Sequence, residues 1–241
     1  MITDYQNGYL TLVHLSNIEL YYTPTNFISA KELFLKDDEF HHAINVMRNS
    51  VGKILYVTNG RGVIYETKII KIKKNELAAE FINKNVYENK GKNLTFCIPL
   101  LKNPDRLKFA VEKCVELGIT NFILFHSKYS VKKRINLENL HKTALSAMKQ
   151  SLRAFIVEII SSSFNEIFNR SGKKIIFEQN SDKLFDGKIS FDKQTYFLFG
   201  PEGGFDEEEI KSVKSEDQYK LAANRLRSET AIVKCASLLN L

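Results

Sequence analysis

Near residue 90 the apolar pattern of this chain changes its period, and that change limits the fold more than any other feature. From Leu20 to about Tyr87 the chain runs in short β-prone stretches. Lys53-Ile54-Leu55-Tyr56-Val57-Thr58 is one; Asn59-Gly60-Arg61-Gly62 follows, and Val63-Ile64-Tyr65 returns. Asn-Gly is a strong hairpin signal because both residues tolerate positive φ. Further on, Ile70 and Ile72 alternate with Lys71 and Lys73, which predicts one buried face and one basic face. Such a series predicts a small β-barrel over residues 20–88. The polar stretch from Asn85 to Asn93, with Gly91 inside it, reads as a linker.

A second domain, residues 94–241, alternates strands with helices. Thr95 to Leu101 reads as a buried strand. Asn103 is a good N-cap, and Pro104 suits the first helical position, where its missing N–H costs nothing. Leu107, Val111, Cys114 and Leu117 then share one helical face, and Gly118 ends the helix. Strands are predicted at 121–126, 174–177, 195–199 and 218–222, with a helix over 137–152 and others after Asp206 and Ser228. This alternation predicts an α/β domain with a mainly parallel sheet and helices on both faces.

Composition narrows the partners. Lys and Arg number 35 against 28 Asp and Glu, a formal charge of +7, which favours polyanions because each neutralised phosphate releases counterions. Cys97, Cys114 and Cys235 are too scattered for a zinc site and point to a reduced, cytoplasmic protein without disulfides. No apolar run reaches the roughly 18 residues that span a bilayer, so no membrane is expected. Residues 1–19 carry Asp4 where a secretory signal would be basic. They read as an ordered extension, a tail, or the product of an early start codon.

Two loops carry the chemistry. Phe199-Gly200-Pro201-Glu202-Gly203-Gly204-Phe205 follows a strand directly, and Asp206 with Glu209 forms a capping-box-like pair for the next helix. Its glycines make a side-chain-poor bend whose backbone can approach a ligand, though a tight strand-to-helix turn would need no ligand. It is not the GxGxxG dinucleotide fingerprint. The second loop, Leu221-Ala222-Ala223-Asn224-Arg225-Leu226-Arg227-Ser228-Glu229-Thr230-Ala231, sits at the carboxyl end of the last strand, where open α/β sheets build their sites. Its plain alternative is a solvated basic turn before a helix capped by Ser228.

Together these loops resemble the two signature loops of the RsmE-type 16S rRNA uridine-N3 methyltransferases of the SPOUT superfamily. Three further segments resemble the same family in order: His41-His42-Ala43-Ile44-Asn45-Val46-Met47-Arg48; Lys102-Asn103-Pro104-Asp105-Arg106 continuing to Glu112-Lys113 and Glu116-Leu117-Gly118; and Ala147-Met148-Lys149-Gln150-Ser151-Leu152-Arg153. The resemblance runs from Leu20 to Leu241. The chain departs from the family at Ala222, where glycine is common, at Ser228 for threonine, and at Ile156-Val157 for Leu-Pro. A methyl at Ala222 is tolerable unless that residue needs positive φ.

The resemblance implies a PUA-like RNA-binding barrel, a SPOUT domain with a deep trefoil knot, a homodimer, and S-adenosylmethionine as cofactor. Phe199, Gly200, Glu202, Gly203, Leu221, Ala222, Asn224 and Leu226 are the implied cofactor-binding residues. The implied reaction is methylation of N3 of one uridine, position 1498, in 16S rRNA of the small ribosomal subunit. Arg225 and Arg227 would stabilise charge on the uracil oxygens. Glu229 would accept a proton or orient an arginine; its plain alternative is a first-turn helix carboxylate.

His41, Arg48, Arg106 and Arg153 are candidate RNA contacts, the arginines because a guanidinium meets phosphate bidentately. Adjacent His41 and His42, in an extended segment, would point to opposite faces, and no spaced partner supports a metal. The run Lys128-Tyr129-Ser130-Val131-Lys132-Lys133-Arg134 is another candidate grip on an RNA backbone. Two other readings stay open: a SPOUT enzyme with another RNA target or chemistry, such as ribose 2′-O-methylation, and an RNA-binding protein without catalysis.

Overall fold

The structure, a computed structural model, describes residues 3–6, 9–12, 18–127 and 136–241. The basic run from Lys128 to Arg134 lies outside the described residues. Strands β1 (Thr3–Gln6) and β2 (Tyr9–Leu12) form an antiparallel pair. The chain then divides into two compact units, residues 1–89 with 149–156, and residues 90–148 with 157–241.

The first unit contains β3 (Leu20–Tyr22), β4 (Glu32–Lys36), α1 (Asp37–His41), a π-helical turn over His42–Val46, β5 (Ile54–Thr58), β6 (Val63–Ile72) and β7 (Glu76–Val86). The strands form one sheet in the order β3-β5-β6-β7-β4, antiparallel except for β3 with β5. Period-2 alternation puts Leu33 and Leu35, Leu55 and Val57, and Leu77 and Ala79 on one face, where Tyr21 and Ile69 join them. Phe40 and Ala43, from α1 and the turn after it, pack onto the same core. The sheet curls until its two edges meet: the Thr23 hydroxyl, just past β3, donates to the Phe34 carbonyl of β4 at 2.7 Å.

Three expectations for this unit need correction. A bulge between Ile69 and Lys71 resets the register, so Ile69 is buried and Ile70 lies on the outer face, 41% exposed. Asn85 and Val86 belong to β7, paired with Ile64 and Val63, so the linker begins later. His41 and His42 are consecutive helical residues and not extended ones; Lys36 precedes a turn of acidic residues, Asp37, Asp38 and Glu39, that favours a helix start.

Residues 149–156 complete the first unit, although the sequence reading placed them inside a continuous 94–241 domain. They lie along the β5–β6 hairpin: Gly62 N donates to Ala154 O at 2.9 Å, Ile156 N to Gly60 O at 2.9 Å, and the Thr58 hydroxyl to Ala154 O at 3.3 Å. The hairpin glycines permit this. A Cβ on Gly62 would lie 2.7 Å from the Phe155 ring and 2.9 Å from the Tyr87 carbonyl. Leu20, Ile64 and Ala154 form a small core there, with Leu152 and Phe155 packed on it. Lys149 pairs with Glu39 at 2.5 Å.

The second unit runs β8 (Leu94–Pro99), α2 (Pro104–Glu116), β9 (Asn121–His126), α3 (Leu137–Gln150), β10 (Glu158–Ser163), α4 (Phe164–Asn169), β11 (Lys173–Phe177), β12 (Thr195–Phe199), α5 (Glu207–Lys211), β13 (Gln218–Tyr219) and α6 (Ser228–Leu239). The sheet is parallel throughout, in the order β10-β9-β8-β12-β11-β13. Every residue of β8 and β12 is buried, which is why both read as unbroken apolar runs. The Asn103 side chain accepts from Asp105 N, as expected of that cap.

Strand β10 and helix α4 escaped the sequence reading. The capping box Ser163-Phe164-Asn165-Glu166 was the signal for them. Strand β13 is two residues long where five were expected. The chain lays down β8, β9 and β10 in one direction, then crosses to the other side of β8 for β11, β12 and β13. The order therefore reverses between β8 and β12, a switch point where the loops at the strands' carboxyl ends diverge.

Candidate active site

Beside that switch point the loops after β11, β12 and β13 surround one cavity of about 640 Å³. Its aromatic floor comes from the strand ends: Phe177 and Phe199 stack at 5.1 Å and both line the cavity. Above β12, the Gly204 amide donates to the Pro201 carbonyl at 2.9 Å and Gly204 adopts φ +77°, a turn that suits glycine. Asp206 then caps α5 with Glu209 in a full capping box.

Three contacts fix these loops to one another. The Ser228 hydroxyl donates to the Gly200 carbonyl at 3.0 Å, joining the start of α6 to the glycine loop. Glu202 accepts from the Lys102 backbone N–H at 3.0 Å, which ties the same loop to the segment after β8. Gln179 donates its side-chain amide to the Ala222 carbonyl at 3.3 Å. Arg227 precedes α6 as its cap residue, so Ser228 is the first helical residue, and its hydroxyl serves the loop instead of the helix end.

Phe199, Gly200, Glu202, Gly203, Leu221 and Leu226 all line the cavity, as do Arg225, Arg227 and Arg106. Ala222 and Asn224 do not: Ala222 is buried beneath the loop and Asn224 is exposed. Ala222 is not among the positive-φ residues, so its methyl is accommodated without backbone strain. Arg225 and Arg227 are exposed and have no acidic partner among the described residues. Glu229 is 9% exposed and does not line the cavity; its Oε1 lies 3.5 Å from Arg106 Nε, and its Oε2 is buried without a partner.

The structure thus brings Arg106, grouped by sequence with the RNA contacts, into the same cavity as the two signature loops. The other three stand in the first unit. Arg48 is exposed at φ +54°, just past the π-helical turn, and His41 is exposed at the end of α1. Arg153 lies in the 149–156 segment, half-buried, and that burial lowers its pKa. The sequence reading missed Phe177, Glu178, Gln179 and Asn180, which form the cavity's third side. Polar residues directly after a parallel strand were their signal. The thiols of Cys97, Cys114 and Cys235 are wholly buried, and burial pushes their pKa values up. Among the described residues no cluster of side chains is arranged to hold a metal, and no helix is long and apolar enough to cross a membrane.

Comparison with known proteins matches two regions in the same order along the chain. Residues 35–82 match the family model of an RNA methyltransferase PUA domain, and residues 88–240 that of an RNA methyltransferase domain. The chain is 26% identical over 208 residues to the ribosomal RNA small subunit methyltransferase E of Rickettsia conorii, covering 82% of this chain and 84% of that protein. It is 27% identical over 213 residues to the enzyme of the same name from Buchnera aphidicola, covering 83% and 84%. Its fold matches the crystal structure of a ribosomal RNA small subunit methyltransferase E from Neisseria gonorrhoeae bound to S-adenosyl methionine, with a TM-score of 0.79 and 23% identity over 91% of this chain and 95% of that one. With its second unit matched almost end to end and a PUA domain matched ahead of it, this chain belongs to the RNA methyltransferase domain family.

Proposed function

We propose that this protein transfers a methyl group from S-adenosylmethionine to N3 of one uridine, position 1498, in the 16S rRNA of the small ribosomal subunit. The observation that carries the reading is the convergence of the glycine loop after β12 and the arginine loop before α6 on one cavity at the carboxyl edge of the sheet, with Arg225 and Arg227 unpaired among the described residues. Relatives at 26–27% identity carry the name of a small-subunit rRNA methyltransferase.

The residues present suit this cofactor. The cavity volume falls within the range usual for small-molecule sites. Its aromatic floor offers a stacking surface for a purine, and the glycine loop leaves its backbone open to a ligand. Ser181, next to the lining residue Asn180, has a buried hydroxyl without a partner. Phe199, Gly200, Glu202, Gly203, Leu221 and Leu226 would hold the cofactor, with Ala222 and Asn224 acting through the shape of their loop. When bound, S-adenosylmethionine supplies an electrophilic methyl group on its sulfonium.

Uracil N3 must lose its proton before or during attack, which leaves negative charge on the neighbouring carbonyl oxygens. Arg225 and Arg227, without acidic partners among the described residues, would stabilise that charge. His41, Arg48 and Arg153 would contact RNA from the first unit, read here as the RNA-binding barrel of a knotted, homodimeric, cytoplasmic enzyme.

The test is methyl transfer to small ribosomal subunits from a strain lacking the corresponding enzyme, with labelled cofactor and mass spectrometry of the digested rRNA. The expected product is 3-methyluridine at a single position. Cofactor binding without that product would redirect the search to another RNA target. RNA binding without cofactor binding would identify a binding protein that lacks catalysis.

A further inference from the structure

We propose that Glu229 is a positioning residue for Arg106, and that Arg106 presents its terminal Nη groups to an oxyanion of the bound RNA. The inference rests on the reading of the cavity as a methyl-transfer site. It assigns Glu229 away from proton acceptance.

The geometry separates the two roles. A general base must come within hydrogen-bond reach of the proton it removes. Glu229 does not line the cavity, and α6 buries it against α2. Arg106 does line the cavity, from the first turn of α2. Its Nε faces Glu229 Oε1 at 3.5 Å. A guanidinium carries five N–H donors in a planar fork, so an ion pair on its Nε side leaves both Nη groups available. Among the described residues, neither Nη has a protein acceptor. A buried carboxylate facing an arginine in this way restricts the side chain to few rotamers, and so aims the Nη pair before substrate arrives.

The pairing also separates Arg106 from its neighbours. Arg225 and Arg227 carry uncompensated charge, whereas the charge of Arg106 is matched by Glu229. Arg106 therefore supplies direction more than net attraction, a role suited to an oxyanion such as a uracil carbonyl oxygen or a phosphate of the target strand.

The full-length chain is compared with Glu229→Gln, Arg106→Ala and the double variant. Glutamine keeps the volume of glutamate, so the α2–α6 packing survives in that variant, and thermal melting verifies it. The first readout is the Arg106 Nε–H resonance, which should exchange slowly with solvent in the parent chain and rapidly in Glu229→Gln. The second is methyl transfer to small subunits across pH. Each single variant should lose about tenfold or more, chiefly through a raised KM for RNA. The double variant should lose no more than Arg106→Ala alone. S-adenosylmethionine affinity should be unchanged, and the pH profile of Glu229→Gln should keep the parental shape.

The proposal is overturned if Glu229→Gln flattens a limb of the profile that Arg106→Ala keeps, because Glu229 would then be the base. Losses that multiply, a rapidly exchanging Nε–H in the parent chain, or a fall in S-adenosylmethionine affinity on removing Arg106 would overturn it as well; the last would assign the oxyanion to the cofactor. If the parent chain binds cofactor but leaves this rRNA unmethylated, the target reading fails on its own. The Nε–H resonance and the RNA affinities of the same variants then decide the present proposal.

Discussion

At the scale of single residues, Arg225 and Arg227 are two arginines of one loop with no carboxylate among the described residues to neutralise them, beside a third that has one. Charge left unmatched at a cavity wall is a standing cost in self-repulsion, and it is recovered when an anion enters. Replacing Arg227 with alanine should therefore lower methyl transfer about 100-fold, the scale of losing one fixed donor to developing negative charge. Overall RNA affinity should change little, measured by filter binding on the same subunits. Equal losses in both would make Arg227 a positioning contact. The two signature loops stood out in sequence through their resemblance to one family's motifs, because glycines, arginines and hydroxyls at a strand's end also suit a plain turn. The Glu178-Gln179-Asn180 side of the cavity was not, because it carries no glycine and resembles any polar turn. The partnership of Arg106 and Glu229 joins residues more than a hundred positions apart, and no local pattern encodes it.

At the scale of elements, strands buried on both faces announced themselves and the edge strand β10 did not. The apolar runs of β8, β9 and β12 were read directly, whereas Glu158-Ile159-Ile160-Ser161-Ser162-Ser163 of β10, which closes one edge of the sheet, has only two apolar residues. The bulge in β6 was equally hidden, since a single extra residue leaves no mark on composition. Helix α4 carries a prediction of its own. The Ser163 backbone N–H, with help from the Ser162 and Ser163 hydroxyls, holds the Glu166 carboxyl below the usual glutamate pKa. A carboxylate depressed in the folded state contributes stability that is present above its unfolded pKa and lost as pH falls through its folded pKa. Thermal melts of Glu166→Gln should thus lie below those of the parent chain at neutral pH and converge with them in acid. A difference that persists below the glutamate range would remove the capping box as its cause.

At the scale of the whole molecule, the two halves were legible from periodicity, and the family models match regions in the same order. What periodicity could not reveal is that residues 149–156 serve the first unit. The segment is held there by backbone hydrogen bonds to a hairpin some ninety residues earlier, and such bonds are blind to side-chain identity. Only the hairpin glycines, Gly60 and Gly62, hint at a close neighbour. A fragment covering residues 18–89 should accordingly melt below the same fragment supplied with a peptide of residues 149–157. The peptide replaces partners for Gly62 N–H, Gly60 C=O and the Thr58 hydroxyl, each worth about 1 kcal/mol. No change in melting on adding peptide would mean that the hairpin closes without it.

This interleaving sets a schedule for synthesis. A chain made from its N-terminus can assemble β3 to β7 as soon as they emerge, but the hairpin waits for a strip of backbone that the ribosome has not yet produced. By the time Ile156 appears, β8, α2 and β9 are already outside the ribosome, and the next residues to follow are those of β10. The first unit is thus begun first and finished in the middle of the second, so no single cut in the gene separates two self-sufficient parts.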